Sequence, residues 1–296
     1  MSKSAILSSS IAKKYWMALT GLFLSLFLVG HLMGNLQLIF ITGEEGKRAF
    51  NEYAYFMSHN PFIKVMSYLT YLSILFHAID GIMLAIQNKK ARPIAYAYNN
   101  PSANSKLPAR QMAVLGSAIL IFIVIHMSNF WWKMKYSSTP MPLHKVYVMD
   151  PQSKTEQALY LTHTDNFFPA SAFETTQMGE AQMEIKNGTE FYNKQVKIRM
   201  GEGYKDLHSL TLSFFGHDKS KEGFPANPNA LLAVILYALA MAVLSFPLMH
   251  GFSSAFQSLG INHKSYTPII KLLGKAFAIL VPLAFALIPI ILFLNK

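Results

Sequence analysis

Four histidines, His31, His77, His126 and His250, each lie in a different long uncharged stretch of the chain. A neutral imidazole in hydrocarbon is costly unless something binds it, so an intramembrane histidine is a functional candidate from the outset. Four of them, one to a stretch, could clamp two haem irons between pairs of facing rings. An iron held by two histidines has no open position for oxygen chemistry, so such a centre carries electrons. The chain has no cysteine, which excludes disulfides, thiolate-held iron–sulfur clusters and the thiols that attach c-type haem. The expected cofactor is therefore two haem b groups, held by side-chain nitrogens alone.

Such rings need helices long enough to carry them into the bilayer. Uncharged stretches run over 15–43, 65–88 (interrupted only by Asp80), 111–132, 224–262 and 276–295. Each supplies the roughly 20 residues that a helix rising about 1.5 Å per residue needs to cross hydrocarbon. With 296 residues, 52% of them hydrophobic, and a mean hydropathy of +0.27, the expected fold is an all-α integral membrane protein. Five transmembrane helices form a haem-binding bundle over 1–296, with a hydrophilic insertion, 136–222, between helices 3 and 4. The first apolar run is too long for a signal-peptide core and has no small-residue cleavage site, so it is expected to stay as a span. The net charge of +11 does not point to nucleic acid, because the basic residues gather at span ends instead of forming a stripe on a soluble face.

Charge bias gives an orientation. The 89–110 connection holds Lys89, Lys90, Arg92, Lys106 and Arg110 with no acid, whereas 43–64 mixes Glu44, Glu45 and Glu52 with Lys47, Arg48 and Lys64. The former is expected in the cytoplasm. Lys3, Lys13 and Lys14 before the first span, and Lys264, Lys271 and Lys275 before the last, agree with a cytoplasmic N-terminus and an outside C-terminus. Lys133, Lys135 and Lys145 disagree, but they open a long connection, and long connections cross regardless of charge. That connection mixes charges and has short alternating pieces such as 195–200, which suggests a small β-containing extracytoplasmic region. Within it, Asn187-Gly188-Thr189 reads as a turn, although it is a nominal glycosylation triplet.

Orientation assigns depths. His31 and His126 each fall about 15 residues in from the cytoplasmic start of their helices, in the outer half of the bilayer. His77 and His250 lie nearer the cytoplasmic side. The pairs are thus His31 with His126 outside and His77 with His250 inside, in the manner of cofactor sites in bundle interiors. Gly30, Gly34, Gly81, Gly116 and Gly251 beside them suit either a flat macrocycle or close helix packing. His59, His144, His163, His208, His217 and His263 lie in connections and are expected to be solvated or interfacial.

The residues around the four histidines carry a resemblance. Met17-Ala18-Leu19-Thr20-Gly21-Leu22 with His31-Leu32-Met33-Gly34-Asn35 resembles the first helix of the five-helix, dihaem cytochrome b subunit of succinate dehydrogenase and fumarate reductase. So do His77 with Gly81 running into Asn88-Lys89-Lys90-Ala91-Arg92-Pro93, Arg110-Gln111-Met112 leading to His126, and 250–260 from His250-Gly251 to Leu259-Gly260. The resemblance covers the spans and short loops but not 137–205. It implies a subunit of respiratory complex II without catalytic residues of its own. Such a subunit anchors a flavoprotein and an iron–sulfur subunit at the cytoplasmic face of a bacterial inner membrane and exchanges electrons with a quinone, here expected to be menaquinone. It also implies a His77/His250 haem proximal to the iron–sulfur subunit and a His31/His126 haem near an outer quinone site, in a complex that can form higher oligomers.

Other residues have candidate roles. Lys14, Arg110 and Lys264 are placed to meet haem propionates. Asp80, one turn from His77, is a candidate proton relay or a headgroup-level residue. Glu44, Glu45 and Glu52 are candidates for proton exchange with quinone, and Trp131 and Trp132 suit an interfacial aromatic belt. Some members of the resembled family carry a glutamate two residues before the last haem ligand in a transmembrane proton route; Leu248 stands there in this chain. Operation as a quinol-oxidising fumarate reductase, or as the cytochrome b of a hydrogenase or formate dehydrogenase, fits the same histidines. A transporter or structural membrane protein is the non-redox alternative, although no inverted repeat is visible.

Overall fold

A computed structural model describes residues 10–91, 94, 110–136, 140–151, 154–175 and 180–296. Lys3, Arg92, Pro93 and Lys106 lie outside the described residues. Five helices are long and apolar enough to span a membrane. They are α1 (Ser10–Phe40), α3 (Pro61–Lys90), the run Met112–Tyr136, α7 (Ala230–Ser258) and α8 (Thr267–Leu294). The protein is an all-α, multi-pass membrane protein.

The spans differ from the uncharged stretches in a consistent way. Lys13, Lys14, Lys64, Lys89, Lys90, Lys271 and Lys275 all fall inside helices, because helical hydrogen bonding continues through headgroup level, where long cationic side chains can snorkel. Elsewhere turns cut the helices short of the apolar run. The first span ends at Phe40 before Gly43 at φ +69°, and α7 begins after Pro225 and Pro228 and ends before Gly260 at φ +81°. The third span is α4 (Met112–Met127), a π-helical turn (Ser128–Trp132) and α5 (Lys133–Tyr136).

One connection is not a loop. Residues Gly43–His59 form α2, with Glu44 and Glu45 in its first turn. Its buried stripe is Gly46, Lys47, Phe50 and Asn51. Two polar residues in that stripe hide the helical period from a hydropathy reading, although Thr42-x-x-Glu45 has the spacing of a capping box.

The connection between the third and fourth spans holds two three-stranded antiparallel sheets. The first is β1 (Lys145–Met149), β2 (Glu156–Leu161) and β3 (Phe167–Pro169), and the second is β4 (Met183–Lys186), β5 (Glu190–Asn193) and β6 (Arg199–Glu202). The strand expected over 195–200 begins only at Arg199, since Asn193 accepts from the backbone of Gln195 and Val196 and turns the chain. Asn187 at φ +53° and Gly188 at φ +77° make the β4–β5 turn, as their types suggest. A short helix, α6 (Leu207–Phe214), follows.

The chain divides into two compact units. The first takes Met1–Asn35, Pro61–Ile125 and Val234–Ile290, the larger part of the spans. The second takes Leu36–Asn60, His126–Ala233 and Ile291–Lys296, so it gathers α2, both sheets, α6 and the ends of several spans. In the first unit, aromatic contacts join helices: Trp16 meets Phe76 at 5.9 Å, Phe122 meets Tyr237 at 5.0 Å, and Phe252 meets Phe277 at 5.4 Å. A Cβ on Gly274 would come within 2.9 Å of Phe252, so this glycine lets α8 approach α7 closely.

In the second unit a core of Leu143, Met183 and Phe191 is capped by Tyr160, Phe168, Ala172 and Phe173. A Cβ on Gly203 would stand 2.7 Å from Cζ of Phe191, a ring with no exposed surface. Gly203→Ala is therefore expected to destabilise this unit by roughly 1–3 kcal/mol, read as a lowered denaturation midpoint; an unchanged midpoint would show that the sheet can shift to admit the methyl.

Candidate functional site

Each of the four predicted histidines lies inside a helix, in a different span. At about 1.5 Å per residue, His31 stands about 14 Å along α1 from Phe40, and His126 about 15 Å along its span from Tyr136. His77 stands about 24 Å along α3 from Pro61, and His250 about 30 Å along α7 from Ala230.

His77 is the best-defined ring. Its Nδ1 lies 3.1 Å from Oγ1 of Thr20 on α1, and a Cβ on Gly21 would sit 3.3 Å from its Cε1. The Nδ1–Cε1 edge thus faces the first span. Phe27 stacks on His31 at 5.4 Å with the rings 12° apart, and Phe285 lies 5.6 Å away on α8. Asn35 donates to the carbonyl of His31 at 2.8 Å. His126 lies two residues before the π-helical turn and has Phe130 at 5.3 Å. Such turns add a residue to a helix and recur at functional sites; no sequence signal announced this one. His250 follows Pro247, and its carbonyl accepts from the Ser254 hydroxyl.

Among the glycines near the histidines, Gly34 is buried, whereas Gly30, Gly81, Gly116 and Gly251 have little or nothing on their Cβ side. A Cβ on Gly30, Gly116 or Gly251 would meet no heavy atom within 4 Å, and one on Gly81 would meet only the methyl of Met17 at 4.0 Å.

The remaining candidates are more dispersed. Lys14, Arg110 and Lys264 are exposed near span ends, and Asp80 is half-buried one turn beyond His77. Glu44 and Glu45 are exposed, while Glu52 is held by Arg48 at 2.6 Å. Leu248 sits two residues before His250 on the same helix. Trp131 and Trp132 both meet Tyr136, at 5.2 and 5.1 Å, as an aromatic cluster at a span end. Among the described residues no group of three or more acidic or histidine side chains is arranged to hold a metal ion.

Two histidines expected to be solvated are instead buried: His144 has no exposed surface and His208 is 5% exposed. They belong to a polar core in the second unit that joins α2 to α6. Asp206 caps α6 by accepting from the Ser209 amide at 3.0 Å, and its other oxygen lies 3.4 Å from Lys47 Nζ. Lys47 also donates to the Lys145 carbonyl at 2.9 Å and faces Glu222 at 3.5 Å. Asn51 accepts from the His208 amide through Oδ1, which orients its amide so that Nδ2 donates to Asp206 and faces Nδ1 of His144 at 3.3 Å. That leaves the ring proton of His144 on Nε2. His217, half-buried, donates through Nε2 to the Leu292 carbonyl at 2.7 Å, and His59 and His263 are exposed as expected.

Burial pushes the imidazoles of His144 and His208 down to about 4, outweighing the nearby Asp206 charge. Burial also opposes the Asp206 carboxylate, but Lys47 and the hydrogen bonds from Asn51 and Ser209 prevail and hold it below the usual carboxylate range.

No family model matches this chain, and no curated protein or solved structure is significantly similar to it.

The polar core makes a pH prediction. Above the ordinary histidine value near 6.5, folded and unfolded states are both neutral at His144 and His208. As pH falls from there towards 4, the unfolded chain takes up protons that the folded one refuses, so stability is lost. Asp206 adds a further loss below 3.8, where its unfolded carboxyl, and then its folded one, is protonated. Hydrogen exchange in β4–β6, corrected for intrinsic rates, should show protection declining from pH 7 to pH 4; flat protection over that range would refute the assignment.

Proposed function

We propose that this chain is a dihaem cytochrome b membrane anchor of a succinate:quinone oxidoreductase. It would pass electrons between an iron–sulfur subunit at the cytoplasmic face of a bacterial inner membrane and quinone in the bilayer, with the dicarboxylate chemistry on partner chains. The observation that carries the reading is one histidine inside each of four spans, which the charge bias of the connections would arrange in two depth layers. Spans that cross the bilayer in alternate directions would put Phe40, Pro61, Tyr136 and Ala230 on one side. Measured from that side, His31 and His126 lie at about 14 and 15 Å, and His77 and His250 at about 24 and 30 Å.

The residues present fit haem. His77 offers Nε2 with its other nitrogen already engaged, as metal-ligating histidines commonly do. Gly30 and Gly251, adjacent in sequence to His31 and His250, and Gly81, one turn from His77, have open space on their Cβ sides. His77 with His250 would hold the inner group and His31 with His126 the outer one, with Lys14, Arg110 and Lys264 available to propionates. Haem, when bound in this way, supplies reversible one-electron transfer. Phe27 and Phe285 wall the His31 ring. Glu44 and Glu45, exposed at the start of α2, are the free carboxylates for quinone proton exchange at the outer side; Glu52 is occupied by Arg48. With Leu248 two residues before His250, no carboxylate at that place serves a transmembrane proton route.

Purified protein is expected to show two b-type haems per chain by pyridine haemochrome, and to bring down a flavoprotein and an iron–sulfur protein from mild detergent. His77→Ala and His250→Ala should each remove the same half of the haem, and His31→Ala and His126→Ala the other half. Loss of different haems from His77→Ala and His250→Ala would reject the pairing, and a colourless protein expressed with ample haem would reject the reading altogether.

A further inference from the structure

Thr20 has no assigned role, yet among the described residues its side chain meets a ring nitrogen of His77 at hydrogen-bond distance. It is 5% exposed and lies on α1, whereas His77 is on α3. Its hydroxyl has a single proton to give. Oγ1 stands 3.0 Å from the Trp16 carbonyl and 3.2 Å from the Met17 carbonyl, and neither oxygen can donate. Threonine in a helix commonly donates its hydroxyl proton back to such a carbonyl. In that form Oγ1 presents lone pairs to His77, and the 3.1 Å contact is a hydrogen bond donated by Nδ1–H. This tautomer leaves the lone pair on Nε2, the nitrogen that the dihaem reading assigns to iron.

The ring's position is constrained as well. The backbone at Gly21 underlies Cε1 closely enough that a methyl there would press on the ring at 3.3 Å. Trp16 and Phe76 lock the two helices together about a turn away, at 5.9 Å. Rotation about the Cβ–Cγ bond is held by the hydroxyl on one atom and the glycine backbone on the next.

We infer that Thr20 is a positioning residue that sets the tautomer and ring orientation of His77 and, through Nδ1, raises the electron-donating power of Nε2 towards the iron of the inner haem. This rests on the dihaem reading above. A hydrogen bond accepted from Nδ1–H gives the imidazole partial anionic character, which favours the ferric state over the ferrous. Thr20 therefore lowers the midpoint potential of the inner haem relative to the same ligand set without it. The outer haem, ligated by His31 and His126, does not feel it.

Redox titration of the purified protein, compared with the Thr20→Val and Thr20→Ser variants, tests this. The haem lost in His77→Ala identifies the inner centre. Thr20→Val, which keeps the shape and removes the acceptor, is expected to raise the potential of that centre alone and to shift its low-spin ferric resonance spectrum. Thr20→Ser, which keeps the hydroxyl, is expected to restore both. If Thr20→Val sheds the inner haem, retention by Thr20→Ser carries the same conclusion. An unchanged potential in Thr20→Val with both haems present overturns the inference, and so does a Thr20→Ser variant that shifts or sheds haem as Thr20→Val does. Absence of haem from the unmodified protein would instead overturn the dihaem reading.

Discussion

A polar group inside hydrocarbon must find its partner within the protein, because the lipid offers none. That constraint organises the first unit. Its hydroxyls answer to their own helices: Thr20 to Trp16, Ser25 to Gly21, Ser67 to Ile63, Thr70 to Met66 and Ser117 to Ala113. The imidazoles cannot be satisfied in the same local way, since a ring has two nitrogens on opposite edges. His77 shows the consequence: one of its nitrogens is met across the helix interface, by Thr20.

Packing agrees with this economy. The most apolar part of the third span has nothing buried and that of the second span 6%, against 28% for the fifth. Spans with so little buried surface do not draw their cohesion from interlocking side chains alone. Gly274 makes the contrast visible, for it lets α8 close on Phe252, whereas Gly30, Gly116 and Gly251 beside the histidines touch nothing.

The second unit meets the same constraint with different means. Its polar core takes Lys47 and Asn51 from α2, His144 from the lead into β1, and Asp206 with His208 from the start of α6. A buried ion pair of this kind adds little stability by itself, but removing either partner strands a charge in a place without solvent. It also specifies one arrangement, because each of Asn51's two ends is committed to a different neighbour. The two neutral imidazoles are compatible with Lys47 only as long as they stay unprotonated.

How much could be read beforehand follows from the distances over which each signal acts. Span number, approximate bounds and the all-α membrane class are carried by runs of some twenty residues, and hydropathy sums them without knowledge of neighbours. The turn at Asn187-Gly188 is local for the same reason. Helix α2 was obscured because Lys47 and Asn51 occupy its buried face, and a polar residue is buried only when a partner about a hundred or more positions away, such as His144 or Asp206, arrives to meet it. His144 and His208 look like any loop histidines until both sheets and α6 close over them. The sequence by itself determined which residues enter the membrane and that four of them are histidines, since both facts depend on local composition. Only the tertiary structure decided which nitrogen of His77 is engaged, which glycines border open space and which histidines are buried, because each of these is a relation between segments that the chain order does not place together.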